Sequence, residues 1–134
     1  MSYLVDTDRV AEWLLGRQEA VELLRALQPA GLAISLITYG EIYEGIYFGR
    51  DPARHELGFR QFLRLVAVLP LNRRIMQRFA RLRGELRRAG QPIGDPDLLI
   101  AATALQHDLT LLTRNLRHFQ RIAALKLYQP AQPA

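Results

Sequence analysis

Two rhythms of apolar and polar residues alternate along the chain. Short unbroken apolar runs, Tyr3-Leu4-Val5, Leu32-Ala33-Ile34, Val66-Ala67-Val68-Leu69 and Thr110-Leu111-Leu112, have the length and branched character of strands covered on both faces. Strands are therefore predicted over 2–6, 32–35, 66–69 and 110–113, with an edge strand over 126–128. Between them the apolar positions recur every three or four residues. A first helix is expected to start from a cap at Asp8 and carry Val10, Trp13 and Leu14 on one side. Others are predicted over 18–27, from Thr38 to Phe48, and from Pro52, which Asp51 precedes, to Leu65. A long helix runs from an Asn72 cap to Ala89 and is stopped by Gly90 and Pro92. Another opens at Asp95-Pro96 and reaches His107, and a short turn spans 115–120. Strands alternating with helices imply an α/β fold with a parallel sheet and right-handed crossovers.

With 134 residues the chain suffices for one domain and is short for two. One domain is expected over 1–129, followed by a frayed Pro/Ala/Gln tail over 130–134. The absence of cysteine excludes disulfides, zinc–thiolate sites and thiol nucleophiles. No apolar run is long enough to span a membrane and no signal peptide is visible, so a cytoplasmic protein with no membrane partner is expected. The net charge of +5 comes almost wholly from arginine, with Lys126 the only lysine. The guanidinium fork suits phosphate, which points to a polyanionic partner; a high-GC codon bias would leave the same imprint.

Candidate chemistry lies where strands hand over to helices. In an open parallel sheet these carboxyl ends converge on one crevice. Asp6 follows the first strand, Glu41 the second, Asp95 and Asp97 begin the helix after Pro92, and Thr113-Arg114-Asn115 ends the fourth strand. Like charges about 6 Å apart repel by roughly 3 kcal/mol at an effective dielectric of 20. A hard cation, Mg²⁺ or Mn²⁺, is the natural tenant of such a cluster. Each acid also has a structural reading. Asp6 on its own reads as a turn or cap residue, but Asp8 is better placed as the cap, which frees Asp6. Thr38-x-x-Glu41 matches a capping box. With Pro96 at the first helical position, Asp95 is the expected cap and Asp97 the free ligand, favoured in its ionised form by the helix dipole. Seven arginines mark the helix over 73–88, which reads as a solvated face or as an RNA-backbone surface. His55, His107 and His118 show no ligand spacing and read as surface or helix-end residues.

Leu4-Val5-Asp6-Thr7, Ile34-Ser35-x-x-Thr38-x-x-Glu41, Pro92-Ile93-Gly94-x-x-Asp97-x-x-Ile100-Ala101-Ala102-x-Ala104 and Leu112-Thr113-Arg114-Asn115-x-x-x-Phe119, in this order, resemble the PIN-domain ribonucleases, in particular the VapC-type toxins of toxin–antitoxin pairs. The resemblance covers nearly the whole chain. It implies a PIN-like three-layer α/β fold with a parallel sheet of about five strands between helices. It places the metal-binding, catalytic acids on Asp6, Glu41 and Asp97. The family's fourth acidic position falls on Asn115, a departure that puts a second metal in question; Asp95 is a weaker candidate ligand. Thr7 and Thr113 are expected to support the site, and Arg74, Arg78, Arg81 and Arg114 to contact RNA. The implied activity is Mg²⁺- or Mn²⁺-dependent cleavage of RNA with one or two ions, in a homodimer held by a small antitoxin.

Two other readings are kept. Asp6-Thr7-Asp8-x-Val10 after a strand looks like the nucleophile motif of haloacid-dehalogenase-like phosphatases. That chemistry needs a lysine between its second and fourth motifs, whereas Lys126 lies at the far end. The other is a degenerate PIN domain that only binds RNA or a partner.

Overall fold

The computed structural model describes residues 1–130. The expected tail falls outside the described residues except for Pro130. Four strands, β1 (Tyr3–Val5), β2 (Leu32–Ser35), β3 (Val66–Leu69) and β4 (Thr110–Leu112), form one parallel sheet in the order β3-β2-β1-β4. The anticipated edge strand at 126–128 is reduced to a single parallel bridge, Leu111 to Leu127, held by bonds from Leu111 N–H to Lys126 and from Tyr128 N–H to Leu111.

The helices are α1 (Thr7–Leu14), α2 (Gln18–Leu27), α3 (Leu36–Tyr47), α4 (Pro52–Leu63), α5 (Arg73–Arg88), α6 (Asp95–Gln106) and α7 (Leu116–Phe119), with a 3₁₀ turn at Gln28–Ala30. Because strand side chains alternate, the sheet feeds two cores. Leu4, Ala33 and Leu111 point to one side and pack with Leu86, Leu98, Ala101 and Phe119 of α5, α6 and α7. Val5, Leu32, Ile34 and Leu112 point to the other and pack with Val10, Leu24, Ile42, Phe59 and Phe62 of α1 to α4. This is the three-layer arrangement expected from the alternating pattern.

Three helix starts differ from expectation. Asp6, not Asp8, caps α1, accepting the Thr7 N–H at 2.8 Å. The chain turns into helix directly after β1, so the first side chain able to reach back is one residue from the strand end. Ser35, not Thr38, caps α3 through the Ile37 N–H at 3.0 Å, and Thr38 is buried inside the helix. No capping box forms, and Glu41 is left free of that duty. Gly94 takes the cap position of α6 and Asp95 is its first residue, with no side-chain cap. Asn72 does cap α5, through the Ile75 N–H at 2.9 Å.

The topology sets the site. From β1 the chain steps to β2 and β3 on one side, then crosses to β4 on the other side of β1. The direction of winding reverses between β1 and β4, and a ligand crevice opens beyond the carboxyl ends of strands at such a point. Asp6 leaves β1 there, and its N–H is bound to the carbonyl of Leu112 in β4 at 2.9 Å.

Gly31 closes the start of β2 with φ of +95°, and its carbonyl accepts from the N–H groups of Ser2 and Tyr3. A Cβ here would come within 2.7 Å of the Met1 Cα. Gly84 lies within α5 with nothing within 4 Å of an added Cβ. Gly31→Ala should therefore destabilise the fold by about 1–3 kcal/mol, while Gly84→Ala should stabilise it by about 0.5–1 kcal/mol. Urea unfolding midpoints of the two variants check this; shifts of the same sign would be inconsistent with it.

Candidate active site

Asp6 is 5% exposed and sits at the centre of the crevice. One carboxylate oxygen accepts the Thr7 N–H; the other accepts the Thr113 hydroxyl at 2.7 Å. Thr113 also lies 3.4 Å from a carboxylate oxygen of Asp8 and accepts the backbone N–H of Asn115 at 3.0 Å. Its single proton goes to the nearer oxygen, on Asp6. Burial, and next the charge of Asp8, push the Asp6 carboxyl up to about 7; Asp97 adds to the rise, while the bonds from Thr113 and Thr7 pull against it. The crevice therefore disfavours the charged form of Asp6 more than its two donors favour it.

Asp8 is not the cap that its spacing suggests. It is raised above its ordinary value by burial, against the pull of the Arg114 N–H that it accepts at 3.0 Å. Its second oxygen is buried with no hydrogen-bond partner. Next to it the buried Arg9 lies 3.5 Å from Glu12 and 3.6 Å from Glu19. Arg114 binds the same two glutamates at 3.0 and 2.9 Å, contacts that push its own value further up and lower Glu19. Arg114 thus pins the loop after β4 onto α1 and α2, and its guanidinium is already engaged by protein carboxylates. That use argues against the expected RNA contact. Nothing in the spacing of residues 9, 12, 19 and 114 announces this cluster.

Glu41 is one turn and a half into α3, with its carboxylate 2.7 Å from the Thr7 hydroxyl. Thr7 also lies 2.9 Å from the Thr38 hydroxyl. The charged acceptor is the stronger, so Thr7 donates to Glu41 and Thr38 donates to Thr7. Asp97 is in the first turn of α6, 3.2 Å from the Nε2 of His118 on α7. His118 was expected to be a bystander. The available signal was its position three residues after Asn115, in the turn that follows the strand beside Asp6. Asn115 is exposed at the N-cap position of α7, and its side chain makes no capping bond.

Each acid is therefore oriented by a specific donor: Thr113 and Thr7 for Asp6, Thr7 for Glu41, His118 for Asp97. The expected four-ligand convergence is only partly drawn together. Among the described residues, no three Asp, Glu or His side chains stand close enough to form a ready-made metal cage. The oxygen-rich set fits a hard cation all the same, because Mg²⁺ is commonly held by one or two carboxylates together with waters and substrate phosphate. The Asp8 oxygen without a partner and the Asp6 carboxyl, whose charged form is disfavoured first by burial and then by Asp8, are both groups that a bound cation would stabilise.

Asp95 is given to Arg83 at 2.8 Å rather than to the crevice. Arg78 binds Gln106 at 2.8 Å, at the opposite end of α6, about 14 Å along the axis from Asp97. Arg74 and Arg81 are exposed on that same flank of α5. Lys126 pairs with Asp108 at 2.7 Å, before β4 begins, and so lies at the wrong end of the strand to serve a phospho-aspartate at Asp6. No helix among the described residues is long and apolar enough to cross a membrane.

The raised carboxyl makes stability pH-dependent. The unfolded chain loses the Asp6 proton near 3.8 and the fold near 7. Below both values the residue is neutral in each state and the fold is not penalised. Between them the unfolded chain gains the charge first, so stability falls as pH rises, by at most roughly 4 kcal/mol across the window. Asp6→Asn should remove most of this slope. In divalent-free buffer it should be more stable than the wild type at pH 8 and no more stable at pH 3.5. Denaturant melts at both pH values check it; equal slopes for the two proteins would contradict the charge argument.

Comparison with known proteins places this geometry. The family model described as PIN domain matches residues 3–125. Ribonuclease VapC2 of Haemophilus influenzae is 32% identical over 127 residues, covering 94% of this chain and 96% of the relative. Among solved structures, VapBC2 from Rickettsia felis bound to a DNA fragment from its promoter superposes with a TM-score of 0.90 at 27% identity, covering 96% of this chain and 98% of that one. A toxin–antitoxin complex from Klebsiella pneumoniae superposes with a TM-score of 0.78 at 32% identity, covering 98% of this chain and all of that one.

Proposed function

Because the chain belongs to the PIN-domain family and, within it, to the VapC toxins of toxin–antitoxin pairs, we propose that it is a metal-dependent endoribonuclease, with residues 1–129 as its nuclease domain. The observation that carries this reading is Asp6: a buried carboxylate, at the sheet's reversal point, pressed by Asp8 and Asp97 and lacking a cationic side chain of its own. Such a site is shaped around a cation supplied from outside.

In this reading Asp6 and Asp97 bind the ion, with Glu41 and Asn115 reached directly or through water. When bound, Mg²⁺ or Mn²⁺ supplies Lewis acidity, which lowers the pKa of a water and stabilises the leaving 3′-oxygen. The chain's own part is orientation. A carboxylate has about four lone-pair sites, and Thr113 and Thr7 occupy one on each oxygen of Asp6, leaving one on each for an ion. His118 engages one oxygen of Asp97, and Thr7 engages one of Glu41, leaving the other oxygen of each free. The positive end of α6 favours the ionised form of Asp97. With Asn115 at the fourth acidic position, one tightly held ion is expected, and any second ion is weaker. The likeness to VapBC and toxin–antitoxin complexes supports an antitoxin partner, and the likeness to Ribonuclease VapC2 supports RNA as the substrate; a toxin homodimer is part of the same proposal.

Loss of an outer-shell partner typically costs 10–100-fold, so loss of a ligand should exceed about 100-fold. Asp97→Asn should lower cleavage of a labelled RNA by at least that factor with the fold intact, and Asp6→Asn likewise. Expression of the wild type should arrest growth, and the variants should not. Cleavage at wild-type rate by a folded Asp97→Asn protein would remove the site, and a wild type inert toward RNA across a Mg²⁺ and Mn²⁺ titration would favour the degenerate reading. Asn115→Asp, which adds a fourth charge, should reduce the metal concentration needed for half-maximal cleavage; an unchanged or higher requirement would place Asn115 outside the ion's reach.

A further inference from the structure

A cavity of about 380 Å³ lies beside the acidic crevice, lined by Arg83, Arg87, Pro92, Ile93, Gly94 and Asp95. Its floor is the connection from α5 to α6. Gly90, with φ of +71°, ends α5, with bonds from its N–H to Arg87 and from the Gln91 N–H to Leu86. This αL termination turns the chain sharply and brings Pro92 to Asp95 back over the last turns of α5. Arg121 clamps the same loop by donating to the Pro92 carbonyl at 2.9 Å. Arg83 and Arg87 are four residues apart and share one helix face. Two guanidiniums thus line this cavity against one carboxylate, Asp95.

That carboxylate takes a single bond from the Arg83 Nε, and the Nη groups of Arg83 make no other bond among the described residues. Arg87 has no carboxylate within ion-pair distance among the described residues. The Arg83–Asp95 pair is partly exposed, with side chains 36% and 53% accessible, and an exposed pair of this kind is weak. A phosphate, which accepts from both forks at once, would compete well for these donors.

Position makes the cavity relevant to the proposed reaction. Asp95 and Asp97 are both in the first turn of α6 and, two residues apart, face opposite sides of it. A strand crossing the end of this helix passes from Asp97 to Arg83 and Arg87. The other flank of α5, with Arg74, Arg78 and Arg81, leads to the far end of α6.

We infer that Arg83 and Arg87 form a phosphate subsite for the RNA backbone beside the cut, and that Asp95 occupies Arg83 until the RNA displaces it. The inference rests on the ribonuclease reading, deepening it to where the substrate lies. Binding of a labelled single-stranded RNA is measured without divalent ions over a range of salt, so that nothing is cut, and cleavage is measured separately with Mg²⁺. Arg83→Gln and Arg87→Gln should each weaken RNA binding several-fold and reduce the salt slope by about 0.7. Asp95→Asn should tighten binding by about 2–5-fold, an effect on the scale of a weak exposed ion pair. Combined with Arg83→Gln it should give no gain over Arg83→Gln alone. The metal concentration for half-maximal cleavage should be unchanged in all of them, as should the thermal midpoint to within a few degrees. Unchanged salt slopes in both arginine variants would overturn the subsite. Weaker binding by Asp95→Asn would overturn the displacement, and a raised metal requirement in that variant would make Asp95 a ligand instead. A wild type that binds with the predicted salt response but never cuts would defeat the nuclease reading while leaving the subsite standing.

Discussion

Two hydrogen bonds on Asp6 hold the organisation of this protein together at one point. One oxygen caps α1 through Thr7, and the other accepts from Thr113 at the end of β4. These bonds join segments 107 residues apart in sequence at the place where the sheet reverses its winding. The carboxylate that terminates β1 is thereby locked in rotamer and direction. Removing water from it raises the free energy of its charged form, and Asp8 and Asp97 raise it further. The fold accepts this because the surrounding contacts are extensive: Leu4, Val5, Leu111 and Leu112 flank the site and are essentially inaccessible to water.

Around this centre the charges are sorted by partner. The buried Asp6 and the half-buried Asp8 contact hydroxyls and backbone N–H groups and no ammonium or guanidinium at hydrogen-bond distance. The buried Arg9 faces Glu12 and Glu19 at 3.5 and 3.6 Å, and the exposed Arg114 binds the same two glutamates, which fixes the loop carrying Thr113 without bringing a guanidinium to hydrogen-bond distance of Asp6. Farther out, the exposed arginines of α5 account for much of the net charge of +5. A basic exterior raises the local concentration of a polyanion, while an acidic interior admits its phosphate only with a cation.

The same hydroxyl often does two jobs, which explains why small polar residues matter here. Thr7 is the first residue of α1 and holds Glu41, while Thr38 within α3 supports Thr7. Thr113 orients Asp6 and accepts the N–H that starts the turn into α7. A threonine at each handover couples the geometry of a helix start to the direction of a carboxylate. Movement of α3 or α7 would therefore misdirect the acids without touching them.

The fold class was legible along the chain because burial imposes period. Apolar runs at 3–5, 32–35, 66–69 and 110–112 alternate with helical stripes, and only a parallel sheet between helix layers buries both. The acids at strand ends were legible for a related reason, since such a sheet brings its carboxyl ends together. Which acid does what was decided by tertiary structure. Asp6 and Asp8 differ by two positions, and either could cap a helix; the turn directly after β1 selected Asp6. Ser35 displaced Thr38 as the cap of α3, and Gly94 displaced Asp95 at α6, because the exact residue at which a strand bends into a helix depends on how the layers pack. His118 beside Asp97, the clamp of Arg114 on Glu12 and Glu19, and the pairing of Arg83 with Asp95 join residues 12 to 102 positions apart. Local periodicity carries no record of such contacts, which exist only once the sheet order has set which elements are neighbours.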